Sequence, residues 1–576
     1  MSAFTLLFFR RMRVPLVVLI SAYAVATVGF TLMPGVDEQG EPWRLSLFEA
    51  FYVVSYTGST IGFGEVPYPF SPAQRLWTMV SIYMTVITWL FSIGSIISLL
   101  QDPAFKSSVR RGRFARAVRA IDQPFYLVCG VGDTGRLLLR ALTRQGHVVV
   151  VVDHNSQKID ALSVETFPSE VIAFCLDASS PAGLIEAGLR QRWCLGVLAV
   201  TGNDQVNLKV AVTAKLLNPR CIVQARADEA STAANMRSFD TNEVINPSEE
   251  YVNRLRLAFT RPSSFRLYQW LNSGPDAEPP AAVEPPRGRW ILCGFGRLGR
   301  AVHGLLIELG LAVRVIEENR ALDGLPSDSV IGRGTEAHSL QEAGLESASG
   351  LLATTRDDVD NLSIIMTARS LKPELFVGAL ENGLSSQPLF RAARPDFIAR
   401  PSEVIAGSML ARVAAPMLSE FFARLDAVDE SVVARWLDPM IRDNPHQPPS
   451  LVTVRISERR SPAVCRLLNE GVAVTLNALI RHPANRRPMP VNILMLRRGE
   501  RDELFPDPDR AIEQGDRLLL AGPAAAIRRL SVLLDNDNSL HYTATGRERT
   551  PAWPAPIRRL IGKPAVPTSP SQGAQK

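Results

Sequence analysis

The sequence predicts an α-helical membrane domain followed by a cytoplasmic α/β part, which contains two Rossmann-like domains and an α+β C-terminal lobe. Three observations support this fold class. Two long uncharged apolar stretches flank a Gly-rich segment near the N-terminus. A pattern of strand, GxGxxG loop, helix, strand and acid then occurs twice. The chain has 576 residues, of which 46% are hydrophobic and 21% charged, and this length suits several domains.

The first membrane span is predicted over residues 14–33, which contain no charged residue. About 20 residues of helix extend for about 30 Å, the thickness of the hydrocarbon core. A signal peptide is disfavoured because the apolar run is too long and lacks a small-residue cleavage site. Arg10, Arg11 and Arg13 precede the span, whereas the loop at 34–44 is acidic, so the N-terminus is predicted to be cytoplasmic.

A short helix and a Gly-rich segment are predicted to fold back into the membrane between the spans. Residues 45–56 are apolar but too short to cross a bilayer. The Gly-rich segment that follows consists of Thr60, Ile61, Gly62, Phe63 and Gly64. Glycine lets the backbone turn its carbonyls to one side, and a row of carbonyls can replace the water around a cation. We interpret the segment as a selectivity filter, with a plain Gly-rich turn as the alternative.

The second span is predicted over residues 76–101, long enough to cross with some tilt. Five arginines follow it, at positions 110, 111, 113, 116 and 119. Contact with lipid headgroups explains them better than a nucleic-acid site, and the net charge of +6 is too small to indicate a nucleic-acid-binding protein. We therefore expect a multi-pass protein of the inner (plasma) membrane with both termini in the cytoplasm.

The first nucleotide-binding pattern begins at the apolar strand 125–129. In a dinucleotide fold the glycines permit a tight turn and let a pyrophosphate approach the helix N-terminus, and the acid accepts from ribose hydroxyls. The candidate binding residues of this first copy are Gly130, Gly132, Asp133, Thr134, Gly135 and Asp153. Asp153 might instead only cap a neighbouring helix, which is the alternative for this acid.

The second copy of the pattern lies about 160 residues further along, a spacing that indicates duplicated domains. Its candidate binding residues are Gly294, Gly296, Arg297, Leu298, Gly299 and Glu317. Glu317 has the same helix-capping alternative. Either site is alternatively a relic without ligand, and the second copy is the better candidate for a relic. Because Glu318 follows Glu317, a 2′-phosphate would be repelled, so NAD-type or adenine nucleotides are favoured over NADP.

The six cysteines have neither disulfide nor zinc-site spacing, which is typical of free thiols in a reducing cytoplasm. The histidines form no evident cluster, and no acid/base constellation is apparent beside the nicotinamide position. One alternative to an ion-conducting function is that of an NAD-dependent oxidoreductase tethered to the membrane, but this function leaves the Gly-rich segment unexplained. A non-conducting, nucleotide-sensing subunit of a potassium transport system is the other.

The segment from Thr60 to Gly64 resembles the potassium-channel filter Thr-Val-Gly-Tyr-Gly, with Ile61 and Phe63 as departures. Two spans around a re-entrant loop resemble the minimal potassium-channel pore. The tandem nucleotide-binding units resemble RCK domains (regulator of potassium conductance), and the likeness extends to about residue 530. It implies K⁺ coordination at Thr60, Ile61, Gly62 and Phe63, a homotetramer with a ring of eight RCK domains, gating by NAD(H) or an adenine nucleotide, and no enzymatic activity.

Several departures from this family pattern affect the expected mechanism. Phe63 cannot donate the hydrogen bond that Tyr gives behind the filter, and Glu65 stands where the family has Asp. The usual hinge glycine is missing around residues 84–86, and Gly94 lies further down. Some relatives bind Ca²⁺ after a late strand of the first unit, where Asp228 and Glu229 are the candidates. A solvated acidic pair is favoured there, because Ca²⁺ needs several oxygens.

The predicted domain boundaries follow from these patterns and from changes in composition. They are a pore domain at 1–105, a basic linker at 106–123, a first RCK domain at 124–271, a Pro-rich linker at 272–289, a second RCK domain at 290–404, a helical connector at 405–446, an RCK C-terminal lobe at 447–532 and a disordered tail at 533–576.

Overall fold

The computed structural model describes residues 3–273 and 278–549. The chain divides into two compact units. The first comprises Met1–Asp122 with the short stretch Ile172–Phe174, and the second comprises Gln123–Val171 and Cys175–Lys576. Most of the predicted tail, from residue 550 onward, lies outside the described residues.

The first unit consists of helices and one small hairpin. Its elements are α1 (Ala3–Leu32), β1 (Gly35–Val36), β2 (Pro42–Trp43), α2 (Leu47–Gly58), α3 (Pro72–Gln101) and α4 (Pro103–Ala120). Two helical segments among the described residues, Met12–Leu32 and Pro72–Gln101, are long and apolar enough to cross a membrane. The basic stretch after the second span is a helix, α4, because it contains no Pro or β-branched run to interrupt it.

Local sequence signals explain where α2 and α3 begin. Ser46 and Glu49 form a reciprocal capping box at the start of α2, and Ser71 and Gln74 form another at the start of α3. The Oγ of Ser71 also donates to the carbonyl of Pro34 (2.7 Å), which ties the loop after α1 to the start of α3. In α3 the expected hinge region forms unbroken helix.

The second unit begins with a six-stranded parallel sheet. Its elements are β3 (Phe125–Cys129), α5 (Asp133–Arg144), β4 (Val148–Asp153), α6 (Ser156–Leu162), β5 (Val171–Cys175), α7 (Pro181–Glu186), β6 (Cys194–Ala199), α8 (Asp204–Leu217), β7 (Ile222–Arg226), α9 (Ala230–Ser238), β8 (Glu243–Ile245), α10 (Pro247–Thr260) and α11 (Pro262–Asn272). The strand order is β5-β4-β3-β6-β7-β8, the doubly wound order of dinucleotide-binding folds.

A second six-stranded sheet repeats this topology. Its elements are β9 (Arg289–Cys293), α12 (Arg297–Glu308), β10 (Ala312–Glu317), β11 (Val330–Ile331), α13 (Ala337–Glu342), β12 (Gly350–Ala353), α14 (Asp358–Leu371), β13 (Phe376–Leu380), α15 (Gln387–Ala393) and β14 (Phe397–Ala399). The order is β11-β10-β9-β12-β13-β14, so each strand has a counterpart in the first sheet. The predicted pair of Rossmann-like domains is confirmed.

Helices α10 and α11 join the two halves of the second unit. Tyr251, Leu255 and Phe265 are fully or almost fully buried in one core with Trp290 and Leu292 of the second sheet. These two helices therefore pack on the second sheet although they follow the first in the chain. The predicted helical connector forms α16 (Pro401–Ala414), α17 (Leu418–Leu425) and α18 (Glu430–Asp443).

The C-terminal lobe is an antiparallel sheet covered by helices. Its elements are β15 (Ser450–Arg455), α19 (Pro462–Asn469), α20 (Leu476–Leu479), β16 (Asn492–Arg498), β17 (Arg501–Leu504), β18 (Arg517–Gly522), α21 (Ala524–Asp535) and α22 (Asp537–Thr545). The sheet order is β15-β18-β16-β17.

The prediction of disorder from residue 533 onward is wrong for the described part of that tail. Helix α22 packs against the lobe through Leu540, which is fully buried in its core. Arg466 of α19 forms an ion pair with Asp537 at 2.6 Å. Because the tail is polar and Pro-rich further along, its few apolar residues were not recognised as contacts with the lobe. The lobe extends to residue 545 rather than 532.

Candidate functional site

The Gly-rich segment between the two spans has an alternating backbone. Thr60, Gly62 and Gly64 have φ of 62°, 65° and 96°, whereas Ile61 and Phe63 between them do not enter the left-handed region. Alternation between left- and right-handed conformations directs successive peptide groups to one side. Glycine allows this at two of the three positions, while Thr60 adopts it at a cost of about 1–2 kcal/mol. Three positive φ values at every second residue set this segment apart from an ordinary helix or strand.

The supports of this segment come from residues that the motif alone does not reveal. The hydroxyl of Tyr56, in α2, donates to the carbonyl of Gly64 at 2.6 Å. Glu65 accepts from the amide of Phe70 at 2.9 Å and from Nε of Arg75 at 2.8 Å. The hydroxyl that Phe63 lacks is therefore supplied from the preceding helix, and the longer Glu65 anchors the segment to the start of α3.

In the first GxGxxG loop each glycine has a distinct role. Gly130 has φ of +109° at the turn. A Cβ on Gly135 would lie 2.1 Å from the carbonyl oxygen of Gly130, so this glycine permits close packing of α5 on β3. Gly132 is the N-cap residue just before α5, and a Cβ there would meet nothing within 4 Å. Open space in front of a helix N-terminus is what an approaching phosphate needs.

The second loop repeats this geometry. Gly294 has φ of +93°, and a Cβ on Gly299 would lie 2.1 Å from the carbonyl oxygen of Gly294. A Cβ on Gly296, the N-cap residue of α12, would again meet nothing within 4 Å. Both loops therefore have a free helix N-terminus at the carboxyl edge of a parallel sheet, where ligands of this fold bind.

The acid after the second strand braces the loop in both copies. Asp153 accepts from the amides of Val131 (2.7 Å) and Asn155 (2.8 Å). In the second copy Glu317 accepts from the amides of Phe295 (2.6 Å) and Asn319 (3.1 Å). Each carboxylate oxygen has further lone pairs, so both acids can still accept from a ribose hydroxyl.

The helix-capping alternative for Asp153 does not match the structure. Helix α6, which follows β4, is capped by the side chain of Asn155, which accepts from the amides of Gln157 and Lys158. Asp153 instead connects the end of β4 to the GxGxxG loop.

A buried asparagine in each copy joins neighbouring strands, a role that sequence reasoning missed. Asn207 accepts from the amide of Thr201 at 3.0 Å and donates to the carbonyl of Arg226 at 3.0 Å. Asn361 makes the same pair of bonds at 3.0 and 2.8 Å, to the amide of Thr355 and the carbonyl of Leu380. These bonds fix the strand ends that flank each crevice.

The remaining candidates of the two loops differ in their contacts. Asp133 accepts from the amide of Leu384 (3.1 Å), so the start of α5 is bonded to the loop after β13. Thr134 is buried, and Leu298 lines the cavity described next. Arg297 lies 3.7 Å from Asp228 and 3.5 Å from Glu229.

A cavity of about 160 Å³ lies over the second loop and receives side chains from both Rossmann-like domains. Gly296 and Leu298 contribute the loop itself, and Tyr251 of α10 contributes an aromatic wall. Four arginines also line it, namely Arg226, Arg297, Arg356 and Arg400. Such a concentration of guanidinium groups at a helix N-terminus suits an anionic ligand.

The structure gives no support to calcium at Asp228 and Glu229. Asp228 forms a two-pronged ion pair with Arg226, at 2.7 and 2.9 Å. In the described part of the chain no group of three or more His, Cys, Asp or Glu side chains is placed to hold a metal ion. These acids neutralise arginines, so they are not the solvated pair that was expected either.

Comparisons with known proteins identify three domains. An ion-channel domain matches residues 16–102, and a TrkA-N domain matches residues 126–247 and again 290–401. Together these matches span more than half of the chain. They coincide with the two spans and with the two Rossmann-like sheets.

The chain is also similar to several archaeal proteins. It is 28% identical over 205 residues to an uncharacterized protein of Methanothermus fervidus, covering 35% of this chain and 31% of the relative. It is 24% identical over 207 residues to potassium channel protein 1 of Methanocaldococcus jannaschii, covering 36% of this chain and 60% of the relative. The chain thus spans about one third to three fifths of the length of these curated relatives.

Among solved structures, two of the GsuK channel are similar over most of their length. The channel alone has 17% identity and a TM-score of 0.46, covering 93% of this chain and 100% of the other. The channel bound to NAD has 15% identity and a TM-score of 0.44, covering 92% and 99%.

Proposed function

We propose that this chain, which belongs to the ion-channel proteins with paired TrkA-N domains, forms a potassium-selective channel gated by a cytoplasmic nucleotide. The observation on which the proposal rests is the alternating backbone of residues 60–64, placed between two membrane spans. A plain turn would not need three left-handed residues at every second position. An oxidoreductase would not need this segment at all.

Thr60, Ile61, Gly62 and Phe63 are the residues whose carbonyls replace the water of K⁺ in this proposal. In a single chain Ile61 and Phe63 are 61% and 63% exposed. One chain supplies one wall of carbonyls, and several copies around an axis enclose the ion. Four copies, as in related channels, form a homotetrameric pore.

The gating ligand in this proposal is NAD(H) or an adenine nucleotide, bound at the two GxGxxG crevices. The open N-termini at Gly132 and Gly296 support this, since a Cβ at either position would meet nothing within 4 Å. A ligand shifts a gate only by its difference in affinity for the open and closed states. Calcium is not part of the proposal, because Asp228 is already bound by Arg226.

Charge distribution supports the membrane placement in this proposal. The loop at 34–44 between α1 and α2 has three acids, whereas the arginines of α4 follow the second span. By the positive-inside rule, the protein then lies in the inner (plasma) membrane with both termini in the cytoplasm. The arginines of α4 contact anionic lipid headgroups.

Recording from purified protein in planar bilayers tests the proposal. We expect currents that are carried by K⁺ in strong preference to Na⁺, and that change when NAD⁺, NADH or ADP is added to the cytoplasmic side. Equal K⁺ and Na⁺ permeability, or no current at any nucleotide concentration, would refute the channel function. A selective current that ignores all three nucleotides would refute only the gating.

A further inference from the structure

The last turn of α2 holds the first half of the Gly-rich segment through backbone hydrogen bonds. The amides of Ile61 and Gly62 both donate to the carbonyl of Tyr56, at 3.0 and 3.3 Å. The amide of Thr60 donates to the carbonyl of Thr57 at 3.0 Å. A displacement of this helical turn therefore moves the carbonyls that replace the water of K⁺ in the proposed channel. The hydroxyl of Tyr56 supports only the other end of the segment.

Gly58 belongs to this turn, and its backbone conformation does not require glycine. It is the last residue of α2 and does not have a positive φ. Alanine is more favourable than glycine in an ordinary helical conformation, so a glycine here points to a packing reason. Gly58 is buried, and a Cβ on it would lie 2.4 Å from the hydroxyl oxygen of Tyr23 and 3.0 Å from the ring carbon Cζ that bears this hydroxyl. The hydroxyl of Tyr23 therefore occupies the space of the missing side chain.

The contact of α1 with α3 fixes the helix that carries Tyr23. One turn further along α1, the carbonyl of Ala26 accepts from the indole nitrogen of Trp77 on α3 at 3.0 Å. The Cβ position of Gly58 also lies 3.5 Å from Cβ of Thr85, again on α3. The last turn of the short helix between the spans is thus in contact with a side chain from each span.

We propose that Tyr23 is a positioning residue for ion conduction. Its hydroxyl supports the last turn of α2 at Gly58 and, through that turn, the carbonyls of residues 60–62. Tyr23 does not contact the ion itself. The first span thereby determines where the first half of the segment lies, while α2 and α3 support its other end. This inference rests on the proposed channel function, because only a conducting segment has a selectivity that a displaced carbonyl changes.

Reversal-potential measurements on the full-length protein in planar bilayers test this role. Gly58→Ala adds a methyl group that collides with the hydroxyl of Tyr23, and overpacking shifts the backbone as well as side chains, so the permeability of Na⁺ relative to K⁺ should rise about fivefold. Tyr23→Phe leaves the space beside Gly58 empty, and the same ratio should rise about twofold. The double variant exchanges the hydroxyl for a methyl group in nearly the same place. Its ratio should therefore fall below that of Gly58→Ala alone.

Tyr83→Phe is the matched control, because it removes the same atom from a tyrosine of α3 that is 67% exposed. It should keep the wild-type permeability ratio. Size-exclusion chromatography separates positioning from assembly, since we expect every variant to elute as the wild type does. Where Gly58→Ala elutes differently, the comparison of Tyr23→Phe with Tyr83→Phe decides alone.

Independent effects would overturn the proposal, because the double variant would then show the product of the two single changes, about tenfold. A wild-type ratio in Tyr23→Phe, or an equal change in Tyr83→Phe, would overturn it as well. The wild-type protein separates this inference from the proposed function. Equal Na⁺ and K⁺ permeability in the wild type refutes both, whereas a selective wild-type current that Tyr23→Phe leaves unchanged refutes the role of Tyr23 alone.

Discussion

Replacing the second and third glycines of one loop by alanine separates ligand approach from folding. In Gly135→Ala the new Cβ would lie 2.1 Å from the backbone oxygen of Gly130, far inside ordinary contact, and no side-chain rotation can relieve it. Overpacking of this kind costs about 1–3 kcal/mol, of which helix propensity returns at most about 1 kcal/mol. In Gly132→Ala the Cβ meets nothing within 4 Å, and φ is −83°, which alanine adopts freely.

Each of the two substitutions adds one methyl group, and we therefore expect them to have opposite effects on stability and on nucleotide binding. Gly135→Ala should lower the melting temperature by about 2–4 °C for each kcal/mol of net destabilisation. In Gly132→Ala the free energy of unfolding should fall by at most about 1 kcal/mol, because Ala is a weaker N-cap than Gly. The methyl group of Gly132→Ala, however, occupies the space where a pyrophosphate would approach, so nucleotide affinity at this crevice should fall at least tenfold.

Differential scanning fluorimetry and titration calorimetry on the same preparations measure the two effects. Gly299→Ala and Gly296→Ala repeat the experiment in the second crevice, where the corresponding distances are the same. Wild-type nucleotide affinity in both Gly132→Ala and Gly296→Ala would refute the reasoning about open helix N-termini. Equal stability of Gly132→Ala and Gly135→Ala would refute the packing role of the third glycine.

Three further predictions concern the supports of the filter and the end of the chain. Tyr56→Phe removes the hydrogen bond to Gly64, a net loss of about 0.5–1.5 kcal/mol per chain, and should raise Na⁺ relative to K⁺ permeability in reversal-potential measurements; an unchanged ratio would contradict this. The hydrogen bond from Arg75 lowers the pKa of Glu65, so its stabilisation is complete above the ordinary carboxyl pKa of about 4.3 and is lost as the pH falls through the lowered value. Selectivity should therefore weaken only as the pH falls below the ordinary carboxyl pKa, Glu65→Gln should show the same weakening at pH 7, and a variant as selective as wild type would argue against this anchor. Leu540→Ala should destabilise the C-terminal lobe by about 2–5 kcal/mol, seen as faster proteolysis, because Leu540 is fully buried; a cleavage rate equal to wild type would mean that α22 contributes little.

Residues close together in the sequence were the ones whose roles could be predicted. The spans follow from uninterrupted apolar runs, and both Rossmann-like sheets follow from the GxGxxG loops with their flanking strands, because these patterns depend on local geometry. The roles of the first and third glycines are local in the same sense. Gly130 has its φ of +109° in the turn itself, and Gly135 packs against Gly130, which is five residues before it.

Roles that depend on tertiary contacts were not predictable. Nothing in the sequence around Tyr251 indicates that α10 crosses to the second sheet and places this residue in the other domain's crevice. Nothing local indicates that Arg226 pairs with Asp228, a carboxylate that also lies 3.7 Å from Arg297 of the second domain. Helix α22 was missed for the same reason, since its few apolar residues become buried only through their contact with the lobe.

The second glycine of each loop bears on whether the second crevice is a relic. Gly130, Gly135 and their counterparts are required by the fold, because a Cβ on any of them would lie within about 3 Å of backbone atoms. Gly132 and Gly296 are not, since both have ordinary φ and open space around the Cβ position. A crevice that had lost its ligand would be free to replace such a glycine by a better N-cap such as Ser or Asp. Both copies keep it, while the residues that line the crevices differ in charge. This combination favours the proposal that both crevices bind a nucleotide over the alternative that the second is a relic.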